Sequence, residues 1–218
     1  MEKYIDLKED KDYTKLKEPA EILKSGKIVV FPTETVYGIG VNALNENAVK
    51  RLYEIKQRPK DKPISLLVSN IEMIEQVAKN ITELEYAIIK EFFPGPLTII
   101  LNRNDNLSDL VTAGGNTIGV RMPANEIALK LIEYAGVPIA APSANLSGKP
   151  SGTDLNEIMK WFKQGVEYFI DGGKSEIGVA STIVQVIDGV PHILREGTIT
   201  KRQIEEICDK YIDKKLLD

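Results

Sequence analysis

The chain has 218 residues, 28 Lys and Arg against 32 Asp and Glu, and a net charge of −4, a length that suits one α/β domain burying roughly 70–75% of its unfolded surface without a disulfide or metal staple. One cysteine (Cys208) and one histidine (His192) exclude an intramolecular disulfide, a multi-thiolate zinc site and a His-rich metal centre. No apolar run reaches the roughly 18 residues of a membrane helix, and the charged start MEKYIDLKEDKDY lacks a signal peptide's apolar core, so a cytoplasmic protein without membrane contact is expected, its acidic balance arguing against general affinity for nucleic acid.

In chain order, Pro19 to Ser25 predicts a helix with proline in its first turn and Gly26 as its stop. Ile28 to Phe31 is a compact apolar strand that runs into FPTETVYGIG. Asn45 caps a helix through Gln57, with Val49, Leu52 and Tyr53 on one face and Pro59 just past its end. Ile64 to Val68 is strand-like. Thr82 begins a helix to Phe93, and Pro94-Gly95-Pro96 breaks it before a strand at Leu97 to Leu101. A strand at Thr117 to Arg121 precedes a helix from Glu126 to Ala135, ended by Gly136. Pro138 to Ala141 is a short strand opening into PSANLSGKPSGT. Asp154 to Gln164 then reads as a helix and Val166 to Ile170 as a strand. Ser181 to Ile187 and His192 to Arg195 read as strands joined at Asp188-Gly189. Thr200 and Gln203 form a capping box for the last helix. Helix-linked strands with a late hairpin predict one α/β domain over residues 1–218, built on a mixed sheet.

Four stretches can carry chemistry. FPTETVYGIG, residues 31–40, offers Thr33, Glu34 and Thr35 on a glycine-containing turn; it is a polar turn or a ligand loop, and neither a P-loop nor a Rossmann fingerprint. Residues 50–62 hold six basic and two acidic groups, a solvated helix end or a local phosphate site. In TIGVR, Thr117, Gly119 and Arg121 share one strand face, and an arginine in that apolar context needs a partner. PSANLSGKPSGT presents Ser143, Asn145, Ser147, Ser151 and Thr153 on a stretch long for a plain connection, which favours a binding loop over a surface loop. Ser143 lacks the G-x-S-x-G context of a nucleophile. His192 reads as a packed strand residue and Cys208 as a small core residue of the last helix.

Taken in order, PTETVYG, K-x-R-P, PGPLT, GVR followed by Met122 and proline, SANLSG, STIV and LREG resemble the YrdC/TsaC family of threonylcarbamoyl-AMP synthases over roughly residues 19–208. The resemblance implies a YrdC-like α/β fold, a twisted mixed parallel and antiparallel sheet with helices around a deep basic cavity. It implies a nucleotidyltransferase that uses ATP, L-threonine and bicarbonate, with Mg²⁺ accompanying ATP. It implies threonine binding by Thr35, Leu67, Arg121, Ala141 and Ser181. ATP binding falls to Arg58, Lys62, Thr117, Ser143, Asn145, Ser151 and Arg195, with Lys56 and Arg58 as catalytic residues. Many members carry histidine where this chain has Leu67, so contacts at Leu67 are apolar or through the backbone, and those at Ala141 through its backbone. The extra C-terminal domain of longer members is expected to be absent. The implied product serves N6-threonylcarbamoylation of adenosine 37 in tRNAs that read ANN codons. A tRNA-modifying transferase complex is the expected downstream partner, with weak tRNA binding by the chain itself.

Two other readings follow from the same residues. One is a paralogue that adenylates another carbamate, for which Leu67 speaks. The other is an RNA-binding module without threonine-dependent catalysis, using the basic cluster on backbone and shape; its binding would fall steeply with salt.

Overall fold

The computed structural model describes residues 3–162 and 164–217; Lys163, inside the helix expected from Asp154 to Gln164, lies outside them. The strands are β1 Lys3–Asp6, β2 Val29–Phe31, β3 Gly38–Asn42, β4 Leu66–Leu67, β5 Leu97–Asn102, β6 Thr117–Arg121, β7 Ile139–Ala140, β8 Tyr168–Asp171, β9 Thr182–Ile187 and β10 Val190–Arg195. The helices are α1 Lys17–Lys24, α2 Glu46–Lys56, α3 Ile71–Val77, α4 Glu83–Phe92, α5 Asp109–Thr112, α6 Glu126–Ala135, α7 Leu155–Trp161 and α8 Lys201–Leu217. A 3₁₀ turn at Tyr13–Leu16 leads into α1.

Local chemistry sets most helix ends. Asn45, Thr82 and Asn125 each accept a backbone N–H with the side chain at an N-cap, Thr82 in a full capping box with Glu85. Gly136 closes α6 at φ 65°, a left-handed conformation that costs glycine nothing. The Thr200–Gln203 box is formed. The α7 helix starts after its Asp154 cap and stops at Trp161, short of the expected end.

All ten strands join one sheet in the order β1-β8-β2-β3-β7-β4-β6-β5-β9-β10. Parallel pairs (β1 with β8, β2 with β8, β4 with β6, β5 with β9) mix with antiparallel ones, as the alternation of segments predicts. Four elements depart from the sequence reading. The charged N-terminus forms β1, because it pairs with β8 about 165 residues away and Asp171 accepts the Tyr4 hydroxyl at 2.7 Å. The second half of FPTETVYGIG is β3 rather than loop, antiparallel to β2. The short helices α3 and α5 occupy segments to which the sequence reading assigned no element. One apolar core joins residues from Leu7 to Cys208, with α1 packed on α6 and α4 on α8.

Candidate active site

Six strands, β3, β4, β6, β5, β9 and β10, with Ala141 just past β7, line a cavity of about 380 Å³. Register explains the lining. Leu67 stands opposite Arg121, Ile100 opposite Gly119, Thr98 opposite Ile183, and Ile183 opposite Arg195; paired residues project to the same side of a sheet. The Gly119 position keeps the space open. A Cβ there would meet Ser65 Oγ at 2.8 Å and Thr98 Cγ2 at 3.1 Å. Near its end β10 slips register between Ile193 and Arg195. That bulge turns both Leu194 and Arg195 to the cavity, where a regular strand would offer only one of two neighbours.

Two loops close the cavity on the β3 side, and backbone bonds tie them together. Tyr37 donates its N–H to the Gly152 carbonyl at 3.0 Å and accepts from the Ala144 N–H at 2.7 Å, while Ile39 donates to the Pro142 carbonyl at 3.0 Å. The Tyr37 hydroxyl in turn donates to the Gly173 carbonyl at 2.6 Å. Residues 31–40 and 142–153, each offered by the sequence as a possible ligand loop, therefore form two walls of one cavity.

Three arginines line it. Arg121 is buried on β6. Its Nε donates to the Gly95 carbonyl at 3.2 Å, its Nη1 to Thr35 Oγ1 at 2.9 Å, and its Nη2 lies 2.7 Å from Glu34 Oε1. The partner that an arginine here requires is thus Glu34. The pair is close but angled away from hydrogen-bond alignment, and neither Glu34 oxygen has a formed hydrogen bond. Burial pulls Arg121 below the ordinary arginine range, and Glu34 opposes that shift. Arg195 is held by two bonds to the Ser181 carbonyl, at 3.0 and 2.8 Å, and by one to Ser181 Oγ. It too is lowered, first by burial and then by the like charge of Arg121. Arg58 follows the left-handed Gln57 that ends α2, and donates to the Lys62 and Pro63 carbonyls. Neither Arg58 nor Arg195 has a carboxylate partner among the described residues.

Of the residues expected from the sequence, the cavity gathers Thr35, Arg58, Leu67, Arg121, Ala141, Ser143, Ser151, Ser181 and Arg195. Four others stand outside its lining. Lys56 is buried, and its ammonium donates to the Ser143 and Asn145 carbonyls, because the last turn of α2 faces inward under the 143–149 loop. Burial, reinforced by Arg58, pulls it down to about 7. In this structure Lys56 thus stands behind the cavity lining, bracing the loop. Asn145 is likewise turned to the loop, donating to the Leu146 and Lys149 carbonyls while its Oδ1 accepts from Ser143 Oγ at 2.5 Å. Lys62 is exposed, and only its carbonyl enters the site's support, accepting from Tyr53 and Arg58. Thr117 sits two residues before Gly119, at the far end of β6. The cavity is basic through arginine alone.

Thr98 lines the site without having been assigned a role by the sequence. Its hydroxyl lies 2.8 Å from Ser181 Oγ. A single hydroxyl in the apolar strand LTIILN was the available signal. The reading of His192 as a packed residue needs correction: it is a strand residue, but exposed on β10, the edge strand. Cys208 is buried in α8. Among the described residues, no helix is long and apolar enough to cross a membrane.

Comparison with known proteins places this site in context. The Sua5/YciO/YrdC family model, described as "Telomere recombination", matches residues 21–197. The chain is 45% identical to the threonylcarbamoyl-AMP synthase of Pyrococcus abyssi over 93% of its own length and 60% of that protein's. It is 45% identical to the threonylcarbamoyl-AMP synthase of Bacillus subtilis over 91% of its length and 58% of that protein's. It thus spans about 60% of the length of these relatives. The crystal structure of P. abyssi Sua5 complexed with L-threonine superposes with a TM-score of 0.90 at 45% identity, covering 94% of this chain and 60% of that one. The α/β mixed-sheet fold is therefore the YrdC-like one, and with a family model across most of its residues and this degree of identity, the chain belongs to the Sua5/YciO/YrdC family.

Proposed function

We propose that the chain catalyses formation of L-threonylcarbamoyl-AMP and pyrophosphate from ATP, L-threonine and bicarbonate. The observation that carries this reading is the convergence of three arginines on one cavity with a single carboxylate among them. Such a site suits a polyanion together with a carboxylate. The relatives that share the fold at 45% identity are named for this activity, and one is seen with L-threonine.

Arg121 takes the threonine carboxylate in this reading, with Thr35, Ser181, Leu67 and Ala141 around it. Arg58 and Arg195 take the phosphates. The proton of Ser143 Oγ is spent on Asn145, so Ser143 offers the nucleotide an acceptor, fitted to a ribose hydroxyl or the adenine amino group and not to a phosphate oxygen. Lys56 and Asn145 serve by holding the 143–149 loop. The threonine amine attacks bicarbonate and water leaves, giving the carbamate. A carbamate oxygen then bonds the α-phosphorus as the bond to pyrophosphate breaks. Neither step needs an enzyme nucleophile; positioning and charge stabilisation carry the rate. No three of His, Cys, Asp and Glu converge among the described residues, and Glu34 is engaged by Arg121. Mg²⁺ therefore fits as part of the ATP complex, with phosphate oxygens as its ligands. The proposal extends to the product's use by a tRNA-modifying transferase complex acting at adenosine 37, in the cytoplasm, with tRNA binding by this chain weak at most.

The test is pyrophosphate release from purified protein with ATP, L-threonine, bicarbonate and Mg²⁺, omitting each in turn. Release should require all three substrates, with serine a poor substitute for threonine. Threonine-independent release would favour the paralogue reading, for which the apolar Leu67 on the cavity wall speaks. No release with salt-sensitive RNA binding would favour the binding module.

A further inference from the structure

We infer that Thr33 is a positioning residue that makes the Thr35 hydroxyl a hydrogen-bond acceptor toward the cavity, so that Thr35 selects a ligand carrying an N–H donor beside its carboxylate. The inference rests on the threonine reading above. Thr33 Oγ1 lies 2.6 Å from the Val36 carbonyl oxygen. A carbonyl cannot donate, and two oxygens that close repel unless a proton lies between them. The Thr33 proton is therefore committed to Val36. Its other oxygen neighbour is Thr35 Oγ1, at 3.0 Å, a pair whose distance alone allows either sense. With the Thr33 proton spent, the proton between them comes from Thr35.

The accounting for Thr35 then closes. Its one proton goes to Thr33, one lone pair accepts from Arg121 Nη1 at 2.9 Å, and one lone pair remains. Both threonines are buried and both line the cavity. Thr35 therefore presents acceptor character directly beside a guanidinium that presents donors. A carboxylate suits Arg121 and is repelled by Thr35. An ammonium or amine does the reverse. The two features together match an α-amino acid, whose carboxylate and nitrogen are carried by the same carbon. An amine N–H given to Thr35 also leaves the nitrogen lone pair free to attack bicarbonate. An α-hydroxy acid can bind here only by donating its hydroxyl proton, a weaker bond than one from an ammonium.

The experiment compares dissociation constants for L-threonine and for its α-hydroxy acid counterpart, by calorimetry without ATP, in wild type, Thr33→Val and Thr33→Ser. Wild type and Thr33→Ser should prefer L-threonine. Thr33→Val frees the Thr35 proton, and the preference should fall by about tenfold or more, the usual scale of a hydrogen bond to a charged group. An unchanged preference in folded Thr33→Val overturns the inference, as does failure of Thr33→Ser to keep it. If Thr33→Val does not fold, Thr35→Val carries the same test. It should bind both acids with little preference, and a preserved preference overturns the inference. A wild type that binds both acids equally overturns it while leaving the synthase reading intact; threonine-independent pyrophosphate release overturns that reading instead.

Discussion

Arg121 and the pair Arg58 and Arg195 carry the same charge into the same cavity under opposite arrangements. Arg121 is buried on a strand, gripped by a carboxylate, a hydroxyl and a carbonyl. Arg58 and Arg195 are partly exposed and held only by uncharged oxygens: Lys62 and Pro63 carbonyls for one, the Ser181 carbonyl and hydroxyl for the other. A fully buried charge must be compensated for the chain to fold, because its desolvation cost runs to several kcal/mol. A partly exposed one can stay uncompensated and keep its field for a ligand. The inner arginine is thus part of the fold as well as of the cavity, whereas the outer two face the cavity with no carboxylate partner among the described residues.

Breaking the inner arrangement should have the largest effect. Glu34→Ala strands a buried guanidinium and should cost about 3–5 kcal/mol of stability, read from the denaturant midpoint. A loss below about 1 kcal/mol would mean that Arg121 is no more structural than its neighbours. At the outer site, Arg58→Ala should weaken kcat/KM for ATP by about 1.5–3 kcal/mol, the worth of hydrogen bonds to a charged group, while stability moves by no more than about 0.5 kcal/mol. Near-normal turnover would remove Arg58 from the site. Lys56 sharpens the contrast, since it is buried yet has only carbonyl partners. Its folded-state pKa of about 7 lies below the ordinary 10.5, so between those values the unfolded chain binds the proton more readily. Stability should therefore rise with pH across that window, by up to about 1.4 kcal/mol per pH unit. In Lys56→Met that slope should flatten, whatever the variant's absolute stability. A retained slope would assign it to other groups.

The candidate site was legible where one residue type at one spacing has few uses. Arg121, two residues from Gly119 on one strand, needed a partner in its apolar context, whereas the K-x-R-P and SANLSG blocks were ambiguous alone and drew their signal from the order of the motifs along the chain. The direction in which their side chains point did not. Lys56 and Arg58 are neighbours in a single motif, yet one turns under a loop and the other into the cavity. The left-handed Gln57 between them redirects the chain, and nothing in K-Q-R announces that conformation, which glycine and asparagine adopt more often.

Several features of this protein follow from neighbouring residues alone. The caps at Asn45, Thr82 and Asn125, the stop at Gly136 and the turn at Asp188-Gly189 each depend on bonds made within about four positions, so the sequence by itself determined where these elements begin or end. Strand order, the pairing of β1 with β8, the Glu34–Arg121 pair and the bond from Arg121 to Thr35 join groups that the tertiary structure alone brings together. A buried hydrogen bond is directional over a few tenths of an ångström. The sense of the Thr33–Thr35 bond is set locally by the Val36 carbonyl, whereas the Arg121 guanidinium beside it arrives only when backbones some 85 residues apart have packed against each other.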